Sequence, residues 1–211
     1  MITIVDYGMG NLHSVAKALE TVGARAQITS EPSAITQAEK VVLPGVGAFD
    51  AAMTELTRRQ LVDPLRRVIA SGTPYLGICL GLQLLFETSE EGEPIGGLGV
   101  LPGRVRRFKD SSLKIPHMGW NQVTSVQRAA VSGQKTNSCP LLQGIPDGSF
   151  FYFVHSFYGE PADASIVSLE TDYGGRFAAM VWKDRLFATQ FHPEKSQEVG
   201  LRLLENFVKL S

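Results

Sequence analysis

The chain has 211 residues, 44% of them hydrophobic and 19% charged, which suits one domain over residues 1–211 with a sizeable core. A formal net charge of −1 argues against a general polyanion binder, and two cysteines make no disulfide framework, so a reducing cytoplasm is the simplest compartment. No secretory signal or membrane span is expected: residues 1–6 lack a basic n-region, and the uncharged run 72–86 carries glycines and a proline and falls short of ~18 residues.

Strand and helix signals alternate through the first half. The apolar run 2–5 predicts a strand, and Leu12, Val15, Ala16, Leu19 and Val22 recur at helical spacing before Gly23. Runs 26–29 and 40–43 predict two more strands. A long helix is expected over 49–70, with Met53, Leu56, Leu61, Leu65 and Ile69 inward. Tyr75, Leu76 and Ile78 then look like a buried strand, and Leu82, Leu84, Leu85 and Phe86 like the apolar part of a following helix. After Gly96 the texture changes to short β-like runs at 99–101, 105–108, 120–126, 150–157, 165–169, 177–182 and 186–191, with a last helix over 198–210. Segment 127–148 is expected to be a long surface loop. The order of signals predicts a three-layer α/β fold: a mixed, mostly parallel central sheet flanked by helices, with antiparallel strands added by the second half.

The chemistry concentrates at two places. Cys79 falls at the strand-to-helix turn, with Gly77 and Gly81 at minus two and plus two, a spacing that lets the backbone turn sharply and present one side chain. A helix N-terminus there would favour the thiolate. His192-Pro-Glu194 follows the apolar run 186–191. Pro193 holds His192 out of the α region, and in extended chain His192 and Glu194 point the same way, as a base and its orienting carboxylate. Both Cys79 and His192 leave strands at their carboxyl ends, where open α/β sheets collect ligands.

Other signals are weaker. Pro44-Gly-Val-Gly47 follows a strand but lacks the Lys-Ser/Thr of a phosphate loop, and its backbone N–H groups could instead serve an oxyanion. Gly8-Met-Gly10 has His13 where a dinucleotide fingerprint needs a third glycine, so it predicts a tight turn and no cofactor. His13, His117, His155 and His192 show no metal-ligand spacing, so no metal site is expected. Arg104, Arg106, Arg107 and Lys109 predict a solvated strand edge.

Pro44-Gly-Val-Gly47, Gly-Ile-Cys79-Leu-Gly-Leu-Gln83 and His192-Pro-Glu194 together resemble the class I, triad-type glutamine amidotransferases. Asp6-Tyr-Gly-Met-Gly-Asn11, Pro116-His-Met-Gly-Trp-Asn121, Tyr152-Phe-Val-His-Ser156 and His192-Pro-Glu-Lys-Ser196 narrow the likeness to glutaminase subunits that feed ammonia to a (β/α)8-barrel cyclase in histidine biosynthesis. The resemblance implies a flavodoxin-like domain and a triad of Cys79, His192 and Glu194. It also implies an oxyanion strand at Gly45, Val46 and Gly47. Gln83 and Glu91 would hold the glutamine head, with backbone help from His155, Ser156 and Phe157, where the family more often has tyrosine at the last position. Asn11, Trp120, Tyr152 and Lys195 would face the cyclase. Three other functions share part of this pattern: a glutaminase serving another pathway, a γ-glutamyl hydrolase without a partner, and a non-catalytic scaffold.

Overall fold

In the computed structural model, which describes residues 1–109, 113–126 and 139–210, the first half forms β1 (Ile2–Val5), α1 (Leu12–Thr21), β2 (Ala26–Thr29), α2 (Pro32–Thr36), β3 (Lys40–Gly45), α3 (Phe49–Arg58), α4 (Val62–Ala70), β4 (Tyr75–Cys79) and α5 (Leu80–Gln83). The second half supplies β5 (Phe86–Ser89), β6 (Leu101–Arg107), β7 (His117–Gln122), β8 (Thr124–Ser125) and β9 (Phe150–His155). It continues through β10 (Phe157–Pro161), β11 (Val167–Asp172), β12 (Arg176–Lys183) and β13 (Leu186–Thr189) to α6 (Gln197–Lys209).

Among the described residues the main sheet has the order β2-β1-β3-β4-β13-β12-β11-β8. Its first five strands pair in parallel and the last four antiparallel, β13 being shared. The parallel part is the doubly wound order, in which the strand order reverses between β1 and β3. Alternation along the strands creates the three layers. Val41 and Leu43 of β3 join Phe49, Leu56, Leu65 and Val68 of α3 and α4 in one core, while Val42 joins Val15, Leu19, Leu203 and Phe207 of α1 and α6 in the other. Two small sheets lie beside this body, β10-β6-β5 and the antiparallel pair β7-β9.

The structure departs from these expectations at several places. The helix expected over 49–70 is two helices, because Gln60 takes φ 57° and Leu61 N–H closes back onto the Leu56 carbonyl at 2.8 Å. An unbroken helix would have driven the Pro64 ring into the Gln60 carbonyl; the break puts Pro64 in the first turn of α4. The helix after Cys79 is one turn long, and Phe86 begins a strand, since N–H groups of residues 97–101 take the carbonyls of Leu84, Leu85, Phe86 and Glu87. The short α2 was not expected. Of the loop expected over 127–148, residues 127–138 lie outside the described residues; residues 139–148 run mostly over the surface, with a 3-10 turn at Pro140–Leu142 that anchors them by burying Leu141. Arg104 and Arg106 are not simply solvated, since both pair with Glu160 across β6-β10 at 2.8 Å.

Close packing fixes α5 on β3. A Cβ on Gly81 would collide with the Leu43 carbonyl oxygen, which is backbone and has nowhere to move. Gly81→Ala should therefore cost about 1–3 kcal/mol, as overpacking of a filled interior does. A denaturant midpoint equal to that of the unaltered chain would show the contact to be unimportant.

The β7-β9 pair places His117 directly opposite His155, both buried, with His117 Nδ1 3.0 Å from His155 Nε2. Burial pushes His155 down to about 3 and His117 down to about 4. Both are neutral in the fold, whereas unfolded imidazoles protonate below about 6.5. The stability they contribute is complete above about pH 6.5 and is lost as pH falls from there toward 4 and then 3, at up to about 1.4 kcal/mol per pH unit for each histidine. Denaturant midpoints measured from neutral to acid pH should fall less steeply in His117→Gln than in the unaltered chain; parallel curves would refute this account.

Candidate active site

Cys79 ends β4 with φ 54° and ψ −106°, a conformation L-residues rarely adopt. Neighbouring glycines permit it. A Cβ on Gly77 would sit 2.6 Å from the Gly81 carbonyl oxygen, so the strand and the turn after it can approach only because Gly77 has no side chain. The turn does not thrust the thiol into solvent, as the spacing suggested, for Cys79 is only 5% exposed. Its Sγ faces the Val154 carbonyl at 3.8 Å and the Gln190 amide nitrogen at 3.7 Å. With α5 four residues long, the helix dipole behind the sulfur is small, and specific neighbours matter more than the macrodipole.

His192 leaves β13 through Gln190 and Phe191 and keeps an extended backbone before Pro193, as expected. Glu194, however, lies in a 3-10 turn, Pro193–Lys195, and the turn brings its Oε1 to 2.8 Å from His192 Nδ1. Both side chains are almost fully buried. Burial by itself would lower the imidazole's pKa, but the negative charge of Cys79 and the charge and hydrogen bond of Glu194 outweigh it and raise His192 to about 10. The ring's Nε2 is buried and, among the described residues, forms no hydrogen bond, which leaves it the ring nitrogen open to a reacting group. Ser196 holds the segment in place: its Oγ donates to the His192 carbonyl at 2.6 Å and accepts from Tyr152 N–H at 3.0 Å.

Cys79 opens onto a cavity of about 280 Å³ whose wall includes Val46, Gly47, Gln83, Glu91, Ser156 and Phe157. His155 also reaches this wall, although its ring points inward to His117 and to the Phe157 carbonyl at 2.8 Å. Gly45 pairs in register with Cys79 across β3-β4, so the turn Gly45-Val46-Gly47 begins beside the sulfur. Tyr7 lies under Gly45 and the Met9 methyl over Gly47, each occupying the space a Cβ would need. Gln83 Nε2 donates to the Phe157 carbonyl at 2.8 Å and to Gln190 Oε1 at 3.2 Å. Both its N–H groups are thus used, and Oε1 is its polar atom for a ligand. Glu91 accepts the Phe49 N–H at 3.0 Å; burial raises its pKa.

Trp120, Tyr152 and Lys195 form one patch. Trp120 is 46% exposed and meets the Tyr152 ring edge-on at 6.2 Å, and Lys195 Nζ lies 5.8 Å from the centre of that ring. Asn11 belongs to a different segment, where its side chain accepts the Ser14 N–H at 3.3 Å and caps α1. Gly10 packs that segment against the backbone of Gly45.

Gln190 was missed in the sequence. Its signal was a polar residue inside the run 186–191, two positions before His192. Among the described residues no group of three or more His, Cys, Asp or Glu side chains could hold a metal ion, and no helix is long and apolar enough to cross a membrane.

Comparison with known proteins agrees with this geometry. The family model "Glutamine amidotransferase class-I" matches residues 3–210. A protein of Syntrophotalea carbinolica called "Imidazole glycerol phosphate synthase subunit HisH" is 53% identical over 213 residues, with 98% of each chain covered. One of the same name from Rhodopirellula baltica is 54% identical over 208 residues, covering 98% of this chain and 96% of its own. Among solved structures, PurLQS from Thermotoga maritima superposes with a TM-score of 0.72 at 18% identity, covering 98% of this chain and 96% of that one, which is a likeness of fold. With the match running almost from end to end, the chain belongs to the class-I glutamine amidotransferase family.

Proposed function

We propose that this chain is the glutaminase subunit of an imidazole glycerol phosphate synthase: a cytoplasmic, single-domain protein that hydrolyses glutamine and passes the ammonia to a (β/α)8-barrel cyclase. The observation that carries the reading is Cys79 on the wall of the 280 Å³ cavity, with the His192–Glu194 pair following the adjacent parallel strand β13 and electrostatically coupled to the sulfur, in a chain about half identical to HisH subunits along its length.

The parts divide the work as follows. Cys79 thiolate attacks the side-chain amide carbon of glutamine. Backbone N–H groups of the turn Gly45-Val46-Gly47 receive the negative charge on the amide oxygen, a contribution of about 3 kcal/mol per donor in such chemistry. His192, protonated at Nε2, gives its proton to the leaving nitrogen, so ammonia departs and a γ-glutamyl thioester remains on Cys79. His192 Nε2 then takes a proton from water, the hydroxide adds to the thioester, and glutamate leaves as the sulfur regains its charge. Glu194 holds the Nδ1–H throughout and balances the imidazolium. Gln83 Oε1 and the Glu91 carboxylate suit the α-ammonium group of the substrate, and backbone at His155 to Phe157 suits its carboxylate. These acceptors reject a substrate that lacks the amino-acid head.

The exposed apolar side chains support a partner on the β7-β9 face. Met118 and Phe150 are 60% and 53% exposed, on the same two strands as Trp120 and Tyr152, and Val46 is 42% exposed beside the sulfur. Isolated exposed residues are ordinary, but this group borders the catalytic turn and fits an interface centre. A cyclase seated there would touch Trp120, Tyr152 and Lys195, and Asn11 at its margin. Its contact with Val46 could then govern the oxyanion donors. A γ-glutamyl hydrolase or a scaffold has no use for such a surface next to its nucleophile.

Two measurements test the reading. Cys79→Ala should abolish glutamine-dependent synthesis by the complex and leave ammonia-dependent synthesis intact; loss of both would assign the cysteine to assembly. Glutamine hydrolysis by the chain alone, with the cyclase, and with the cyclase plus its nucleotide ligand should rise in that order, whereas equal rates in all three would refute coupling to this partner.

A further inference from the structure

Gln190 is a buried amide beside the nucleophile for which the scheme above has no use. It follows β13, is fully buried, and is anchored by its backbone N–H, which donates to the Ala179 carbonyl at 2.8 Å. Its Nε2 lies 3.7 Å from Cys79 Sγ and its Oε1 3.2 Å from Gln83 Nε2.

The orientation of this amide is determined by its neighbours. The Phe157 carbonyl can only accept, so the Gln83 atom 2.8 Å from it is the nitrogen. That nitrogen's second hydrogen then needs an acceptor, which turns Gln190 Oε1 toward Gln83 and leaves a Gln190 N–H directed at the sulfur. His155 Nδ1 stands 2.8 Å from the same Phe157 oxygen and must carry a hydrogen there, so both lone pairs of the carbonyl are engaged and it is fixed from two sides. Reversing Gln190, which is fully buried, would set two N–H groups against each other with no acceptor between them.

We infer that Gln190 is a catalytic residue that donates a hydrogen bond to the Cys79 thiolate, and that Gln83, besides contacting the substrate, sets the orientation of that donor. The inference rests on Cys79 being the nucleophile. No proton is transferred, because an amide N–H keeps its hydrogen throughout. The bond is strong while sulfur is anionic, weakens in the neutral thioester, and strengthens again as hydrolysis expels the thiolate. Gln190 therefore assists both the poised enzyme and the second half of the reaction.

The test is the pH dependence of Cys79 alkylation by iodoacetamide in the full chain, read by peptide mass across about pH 5–10, the range in which protein thiols ionise. Gln190→Met, close in shape and without a donor, should move the midpoint up by about one pH unit, the size expected for a hydrogen bond to a charged group. The limiting rate at high pH should rise about threefold, because a thiolate freed of its donor is more nucleophilic. Gln190→Glu, whose carboxylate would face the sulfur, should move the midpoint further. An unchanged midpoint in folded Gln190→Met would overturn the inference; if that variant fails to fold, an unchanged midpoint in Gln190→Glu would do so. Glutamine turnover by the unaltered chain with its cyclase is measured alongside. No turnover would sink the glutaminase reading, whereas normal turnover with an unshifted midpoint would sink only the role given to Gln190.

Discussion

The left-handed backbone at Cys79 is the constraint on which the site depends. A non-glycine residue at φ 54° costs of order 1–3 kcal/mol, and it persists only where its surroundings leave no alternative. Here the surroundings are backbone. Gly77 and Gly81 let β4 and α5 fold over one another, Gly81 lies on the Leu43 carbonyl, and Gly45 pairs with Cys79 in register. One local distortion thus sets two distances: from the sulfur to the His192 segment at the end of the adjacent parallel strand β13, and from the sulfur to the Gly45-Val46-Gly47 turn at the end of β3. Strand order makes this possible, because β3, β4 and β13 are neighbours whose carboxyl ends open on the same edge.

Around that point, polar groups are placed in a nearly dry environment, where each needs a partner. Glu194 and Cys79 hold a charge on a buried imidazole that burial would otherwise discharge. His117 and His155, close by, have no such counter-charge among the described residues and stay neutral, and in that form they work as a hydrogen-bonded pair fixing the Phe157 carbonyl. Identical side chains therefore serve opposite electrostatic ends within one site. The difference lies in what faces each ring.

Much of this was legible. The βα alternation, the inward positions Met53, Leu56, Leu61 and Leu65, the strand leading to Cys79 and the segment leading to His192 all follow from periodicity, because burial on one or both faces of a strand or along one stripe of a helix imposes it. Errors arose where two local rules competed. Apolar spacing argued for a helix through residue 70, whereas Pro64 argued for a break, and the proline prevailed because a steric clash is not negotiable while spacing is compatible with either outcome. The leucines after Cys79 read as helix, yet their carbonyls were claimed by a segment that approaches only in the tertiary fold. Glu194 was paired with His192 for the wrong local reason: the 3-10 turn, not an extended strand, brings the carboxylate to the ring.

The sequence by itself determined the fold class and singled out Cys79, His192 and Glu194, to which the proposed chemistry is assigned, since strand and helix periodicity, a glycine-flanked cysteine and His-Pro-Glu are all properties of short stretches of chain. Only the tertiary structure decided how the thiol is enclosed, which imidazole is charged, and that Gln190 stands at the sulfur. Those outcomes depend on desolvation and on hydrogen-bond donors reaching across 74 to 111 residues of intervening chain, and no local pattern encodes a distance that only the packed sheets create.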